Sequence, residues 1–175
     1  MKTVVLFPTI DEGKAFIFGK APVPVFISGV GSAETAAAIA RAVKAKKPDL
    51  IVLAGIAGAY DRTLAIGSVV EVTRERTASL PTKYAQTYIV DPVTDLDEVS
   101  ANTVDRTGAE AEGAQIEEME GATFFALCEA LGVRACQIRA ISNYVGDPFE
   151  TWDIPRATEQ LTETLNQFFQ HNDKE

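Results

Sequence analysis

Two short runs hold most of the side chains able to do chemistry. Glu117-Glu118-Met119-Glu120-Gly121-Ala122 is followed by Arg139-Ala140-Ile141-Ser142-Asn143. The first opens an apolar-periodic segment that reads as a helix, and the second ends a run that reads as a strand. A carboxylate, a guanidinium and a carboxamide therefore fall at the ends of neighbouring elements, where α/β proteins usually build sites. A carboxylate can accept two hydrogen bonds from a vicinal diol, and a carboxamide both donates and accepts. That set suits a sugar joined to a purine base. Glu12, a few residues beyond an apolar N-terminal run, is where a sheet-end site would place a further acid.

The elements that must position these residues read as follows. Residues 2–7 form a buried strand ended by Pro8, and residues 23–28 a second, closed by Gly29-Val30-Gly31. Ser32 is a plausible N-cap for an alanine-rich helix over 33–46. Lys44, Lys46 and Lys47 complement its C-terminal dipole, and Pro48 stops it. Residues 49–55 are almost wholly apolar, which predicts a central strand covered on both faces. Further strands are expected over 68–74, 87–90, 101–104 and 134–142, with 76–114 the least readable stretch. A helix is expected over 118–131, with Met119, Thr123, Phe124, Leu127 and Leu131 near one stripe. Asp153-Ile154-Pro155 opens the last helix, where Ile154, Ala157, Leu161, Leu165 and Phe168 recur at helical spacing. Strands alternating with helices, with no repeat or linker, predict a single α/β domain over 1–175: a three-layer sandwich with a mostly parallel mixed central sheet.

Composition narrows the function classes. The net charge of −9 opposes the counterion-release binding that polynucleotides require, so no nucleic-acid polymer is expected as a partner. Cys128 and Cys136 read as buried small hydrophobes in a reducing compartment. The only histidine is His171, so no metal-ligand spacing exists and no metal is expected. Residues 1–8 lack the pattern of a signal peptide, and no segment approaches a membrane span. A soluble, cytoplasmic protein follows as an expectation.

An ordered set of pieces extends this reading. Glu12 follows the first strand, Gly29-Val30-Gly31 the second, and Gly55-Ile56-Ala57-Gly58-Ala59 the third. Then come Ile66-Gly67-Ser68-Val69-Val70, the Glu-Met-Glu-Gly-Ala run, Arg-Ala-Ile-Ser-Asn, and Trp152-Asp153-Ile154. In this order they resemble the nucleoside phosphorylase and nucleosidase superfamily, and within it the futalosine hydrolases. The resemblance implies cleavage of an N-glycosidic bond between ribose and a purine, with no metal or organic cofactor. For futalosine, that would be a step of menaquinone biosynthesis. Such a bond breaks with oxocarbenium character on the sugar, which anionic groups stabilise.

By that resemblance Glu120 binds the ribose hydroxyls; otherwise it is an acid complementing a helix dipole. Met119 packs on the sugar face or fills the core. Glu12 activates water, or is a solvated acid beside Asp11. Arg139 orients the nucleophile; as a strand arginine with apolar neighbours it needs a site or a buried ion pair, and an Arg139–Glu12 pair would satisfy both. Asn143 stands where adenine-cleaving relatives carry an aspartic acid. Its carboxamide fits a 6-oxopurine such as hypoxanthine better than adenine; a turn-favouring Asn after a strand is the other reading. Gly31, Gly55 and Ile56 belong to the glycine-rich turns expected beside the substrate.

Ile56 offers no hydroxyl to phosphate, residues 8–16 contain Lys14 but no arginine, and Glu12 would repel a phosphate. These features favour water over phosphate as nucleophile, with a phosphorylase as the alternative. Relatives have a longer segment where residues 76–114 lie. Thr103 and Val104 resemble the end of the wall that contacts the base, and Phe149 closes the pocket or packs on a surface loop. The shortening leaves open a non-catalytic nucleoside binder. A homodimer is expected by resemblance.

Overall fold

The computed structural model describes residues 1–172, and side chains as far as Gln170; the side chain of His171 lies outside the described residues. Strand β1 (Thr3–Phe7) pairs in parallel with β2 (Val25–Ile27) on one side and β3 (Leu50–Ala59) on the other. Strand β3 then runs parallel to β8 (Arg134–Tyr144), from Leu50 opposite Arg134 to Ala59 opposite Tyr144, with a register shift between Ala57 and Gly58. Beyond β8, β4 (Val69–Thr77) is antiparallel to it and carries β5 (Thr87–Ile89) at its edge. Strand β6 (Glu98–Thr103) lies parallel to β4, and β7 (Ile116–Glu118) parallel to β6. The end of β3 also pairs antiparallel with β7, at Gly58 and Ala59. The sheet is therefore mixed and mostly parallel.

Alternation along the strands divides the core in two. Val4, Leu6, Ile51 and Leu53 point to one face, where Ala38, Ile39 and Ala42 of α2 (Ser32–Lys46) and Phe124, Phe125 and Cys128 of α3 (Gly121–Leu131) cover them. Val5, Phe7, Leu50, Val52 and Ala54 point to the other, beneath Phe16 of α1 (Ile10–Phe18) and Ala157, Leu161 and Leu165 of α4 (Ile154–Asn172). Helices on both faces of one sheet give the expected α/β three-layer sandwich. Both cysteines are buried and free. Among the described residues, no helix is long and apolar enough to cross a membrane.

Several elements differ from expectation. Residues 10–18, to which no element is assigned from sequence, are helix α1: Thr9 caps it by accepting from the Glu12 N–H at 3.3 Å. Ser32 is helical, and the N-cap of α2 is Gly31, whose φ of +91° favours glycine. Glu118 belongs to strand β7 rather than to the helix, which starts at Gly121. Strand β3 continues through the Gly-Ala run to Ala59, and β8 through Asn143 to Tyr144. Asn143 is thus a strand residue, not a turn residue. In α4, Phe169 joins the core, with Phe168 packed beside it.

Candidate active site

A cavity of about 380 Å³ opens at the ends of β1, β3, β7 and β8, within the range of small-molecule sites. Glu12, Met119, Glu120 and Asn143 all line it, with Ile56, Val104 and Phe149. Its wall also includes Glu118, Ser142 and Trp152. Of the remaining expected site residues, Gly31, Gly55, Thr103 and Arg139 stand behind the lining and act on it through contacts.

Each acid is held by local structure. Glu12, in the first turn of α1, accepts from the Thr9 hydroxyl at 2.7 Å through Oε2 and from the Ile56 N–H at 3.0 Å through Oε1. Gly55 permits this approach, because a Cβ there would lie 2.7 Å from Arg139 Nη1 and 3.0 Å from Glu12 Oε1. Glu120 is the N-cap residue of α3, yet its side chain makes no cap bond. It reaches across instead: Oε2 accepts from the Gly31 N–H at 3.1 Å, at the start of α2, and Oε1 from Arg139 Nη1 at 3.2 Å. Burial pushes the Glu120 carboxyl up to about 7; the Arg139 guanidinium opposes the rise and the Glu118 carboxylate adds to it.

Arg139 is only 1% exposed and carries the ion pairs that hold the site together. Nη2 pairs with Glu118 Oε2, and Nη1 with Glu120. Nη1 also donates to the Ile56 carbonyl at 3.3 Å. The expected Arg139–Glu12 ion pair is not formed. The guanidinium turns to the acids at the end of β7 and the start of α3, because residue 56 stands between it and Glu12, bonded through its carbonyl to one and its N–H to the other.

Glu118 is the site acid that sequence reasoning missed. Its oxygens accept from the Glu120 N–H at 2.8 Å and the Gly121 N–H at 2.9 Å, so it caps α3 and anchors Arg139 together. The available signal was its place in the acidic run beside Met119 and Glu120. Thr103 is buried behind the cavity, its hydroxyl engaged by Glu75, Glu118 and the Ala122 N–H. It does not line the cavity, whereas its neighbour Val104 does. Asn143 is fixed by its own partners: Oδ1 accepts from the Ser142 hydroxyl at 2.8 Å, and Nδ2 donates to the Tyr144 carbonyl at 3.1 Å. One N–H and further acceptor capacity remain on the carboxamide. Phe149, 67% exposed, packs on Trp152 with ring centroids 5.0 Å apart at the rim.

The arrangement offers carboxylates at two places in one hollow, a carboxamide, and an apolar surface from Met119, Ile56, Val104 and the rim aromatics. A sequence model of the phosphorylase superfamily matches residues 4–110 and 76–171. The chain belongs to the phosphorylase superfamily. Within the superfamily it is 29% identical over 153 aligned residues to the futalosine hydrolase of Thermus thermophilus, with 68% of each chain covered. In fold it is similar to the S-adenosylhomocysteine nucleosidase of Streptococcus pyogenes, solved in complex with 5-methylthiotubericidin (TM-score 0.86, 21% identity, 98% of this chain and 97% of that one). It is also similar to a futalosine hydrolase mutant of Helicobacter pylori (TM-score 0.82, 14% identity, 98% and 100%).

Proposed function

We propose that the chain is a purine nucleosidase that hydrolyses the N-glycosidic bond of a 6-oxopurine nucleoside such as futalosine, releasing hypoxanthine. One observation carries the reading: Glu12, Glu120 and Asn143, from three distant parts of the chain, line the same cavity. The similarity to a futalosine hydrolase supports the choice of substrate.

In this reading Glu120 takes the ribose hydroxyls and, ionised, favours the developing positive charge on the sugar. Met119 covers the sugar face. Glu12, whose two oxygens are each held by one donor, keeps a lone pair on each with which to orient and deprotonate water. Arg139 positions Glu120 and the main chain of Ile56 rather than touching the water. As the bond breaks the departing base takes a proton at N7 from solvent, since a carboxamide has none to give, while Glu12 holds the one that water loses. Asn143 accepts from that N7–H and donates to a C6 oxygen, and its tether to Ser142 and Tyr144 supports a fixed orientation of that amide. Val104 and Phe149 bound the base. The cavity side chain of residue 56 is apolar and lends phosphate no ligand, which supports water as the nucleophile. The molecule acts without a cofactor, as one domain, in the cytoplasm and as a homodimer.

S-adenosylhomocysteine nucleosidases share the fold, so an adenine nucleoside is the competing substrate, and the superfamily's phosphorylases supply the competing nucleophile. Incubation with futalosine, inosine and methylthioadenosine, with and without phosphate, separates these by the free base formed. Hypoxanthine released from futalosine without phosphate is the expected result. Dominant adenine release would overturn the role given to Asn143. A strict phosphate requirement would replace hydrolysis by phosphorolysis. Binding with no base release would make the chain a nucleoside binder.

A further inference from the structure

Behind the cavity lies a carboxyl that the proposed reaction does not use. Glu75, on β4, is fully buried. Its Oε1 lies 3.0 Å from Thr103 Oγ1, and the same Thr103 oxygen lies 3.0 Å from Glu118 Oε1. Thr103 Oγ1 also accepts from the Ala122 N–H at 2.7 Å. A hydroxyl has one proton and two lone pairs. With one lone pair taken by Ala122 and the proton given to one carboxyl, the other carboxyl can bond to Thr103 only by bringing a proton itself.

The partners decide which carboxyl brings it. Glu118 already has its oxygens filled by donors: it accepts from two main-chain N–H groups and pairs with the Arg139 guanidinium, so it has no free place to carry a proton toward Thr103. The hydrogen-bond partners of Glu75 are both neutral: the Thr103 hydroxyl and the Gln137 amide, whose Nε2 lies 3.4 Å from its Oε2. The proton therefore resides on Glu75 Oε1, and the chain runs from the Glu75 carboxyl to the Thr103 hydroxyl to the Glu118 carboxylate. Gly121 allows the close approach, since a Cβ there would lie 2.3 Å from Glu75 Oε2.

We propose that Glu75 is a positioning residue: a neutral carboxylic acid that, through Thr103, orients Glu118 and with it the Glu120 main chain and Arg139. The inference rests on the nucleosidase reading for its effect on turnover, but not for the protonation of Glu75. The charged groups facing Glu75 are Glu118 on β7 and Arg139 on β8. Gln137 on β8 and Thr103 on β6 are its neutral partners, β5 sets Tyr88 opposite it in register, and α3 presents Gly121. Burial, followed by the Glu118 charge, holds the Glu75 carboxyl well above the usual carboxylate range, in agreement with the hydrogen-bond count.

The test compares the whole wild-type chain with Glu75→Gln and Thr103→Val. At neutral pH, infrared difference spectra between wild type and Glu75→Gln are expected to show a protonated-carboxyl C=O band that the variant lacks. Its absence overturns the proposal, whether or not any nucleoside is cleaved. In turnover, Glu75→Gln, whose amide can donate to Thr103 as the acid does, is expected to keep kcat within about threefold of wild type. It should also lose the alkaline fall in kcat that ionisation of Glu75 causes. Thr103→Val is expected to lower kcat about tenfold, by letting Glu118 and Arg139 drift. A Glu75→Gln variant that keeps the wild-type alkaline limb sinks the positioning role. If no nucleoside is cleaved by wild type, the functional reading fails, while the infrared band still judges Glu75.

Discussion

The Glu120 carboxyl shows how burial and pairing set the state of one residue. Its value near 7 leaves it partly protonated at neutral pH until a ligand supplies donors. In the proposed role ribose hydroxyls would donate to the carboxylate, so binding would draw on the ionised form. Calorimetry with a non-hydrolysable nucleoside analogue should show affinity falling by up to about tenfold per pH unit below that value. Glu120→Gln should bind weakly and without this dependence; the same dependence in the variant would remove Glu120 from the ribose. The group also acts on folding. Its carboxyl sits above its ordinary value of 4.5, so the folded chain binds the proton more tightly than the unfolded one. The stability it contributes is complete below about 4.5 and lost as pH rises toward about 7. The Tm of wild type should therefore fall relative to that of Glu120→Gln across this window. The residue types of Glu12, Glu120, Arg139 and Asn143 were legible because each carries chemistry in an ordered motif. The partner of Arg139 was not, because Glu118 and Glu12 are equivalent acids until the backbone of residue 56 is placed between one of them and the guanidinium.

Among the elements, the junction of β7 and α3 bears the greatest demand. A strand ends at Glu118, a helix starts at Gly121, and the two residues between carry Met119 and Glu120 into the cavity. Gly121→Ala places a Cβ 2.3 Å from Glu75 Oε2 and 2.6 Å from Gln137 Oε1. Overpacking of this kind should cost about 1–3 kcal/mol in denaturant unfolding and lower kcat as well. An unchanged midpoint and rate would show that the junction yields without consequence. The major elements were legible where burial imposes a period: the two-faced apolar strands β1 and β3, and the Ala157, Leu161, Leu165 spacing of α4. Strand β7 is three residues long and runs into a helical pattern, so it carries no period of its own. Helix α1 is short and contains Gly13, but Thr9-x-x-Glu12 is a capping pair that marks its start. The far end of β3 is rich in Gly and Ala, poor strand formers, and is held extended by β8 on one side and β7 on the other.

At the scale of the whole molecule, the cavity lies where three separated segments meet, and its rim carries apolar side chains. Val30 is 48% exposed and Phe149 67% in the single chain. A homodimer that covers this rim should sediment at twice the 18.8 kDa chain mass, and Phe149→Asp should shift it toward monomer. A fully active monomer would refute the dimer. In the proposed mechanism Glu12, Glu120 at the start of α3 and Asn143 on β8 act on one nucleoside. The most direct test is hypoxanthine formation from futalosine in phosphate-free buffer, wild type against Glu12→Gln. The prediction is turnover by wild type and a loss in kcat of about 10²–10⁴-fold in a folded variant. Equal turnover by the two proteins would contradict it.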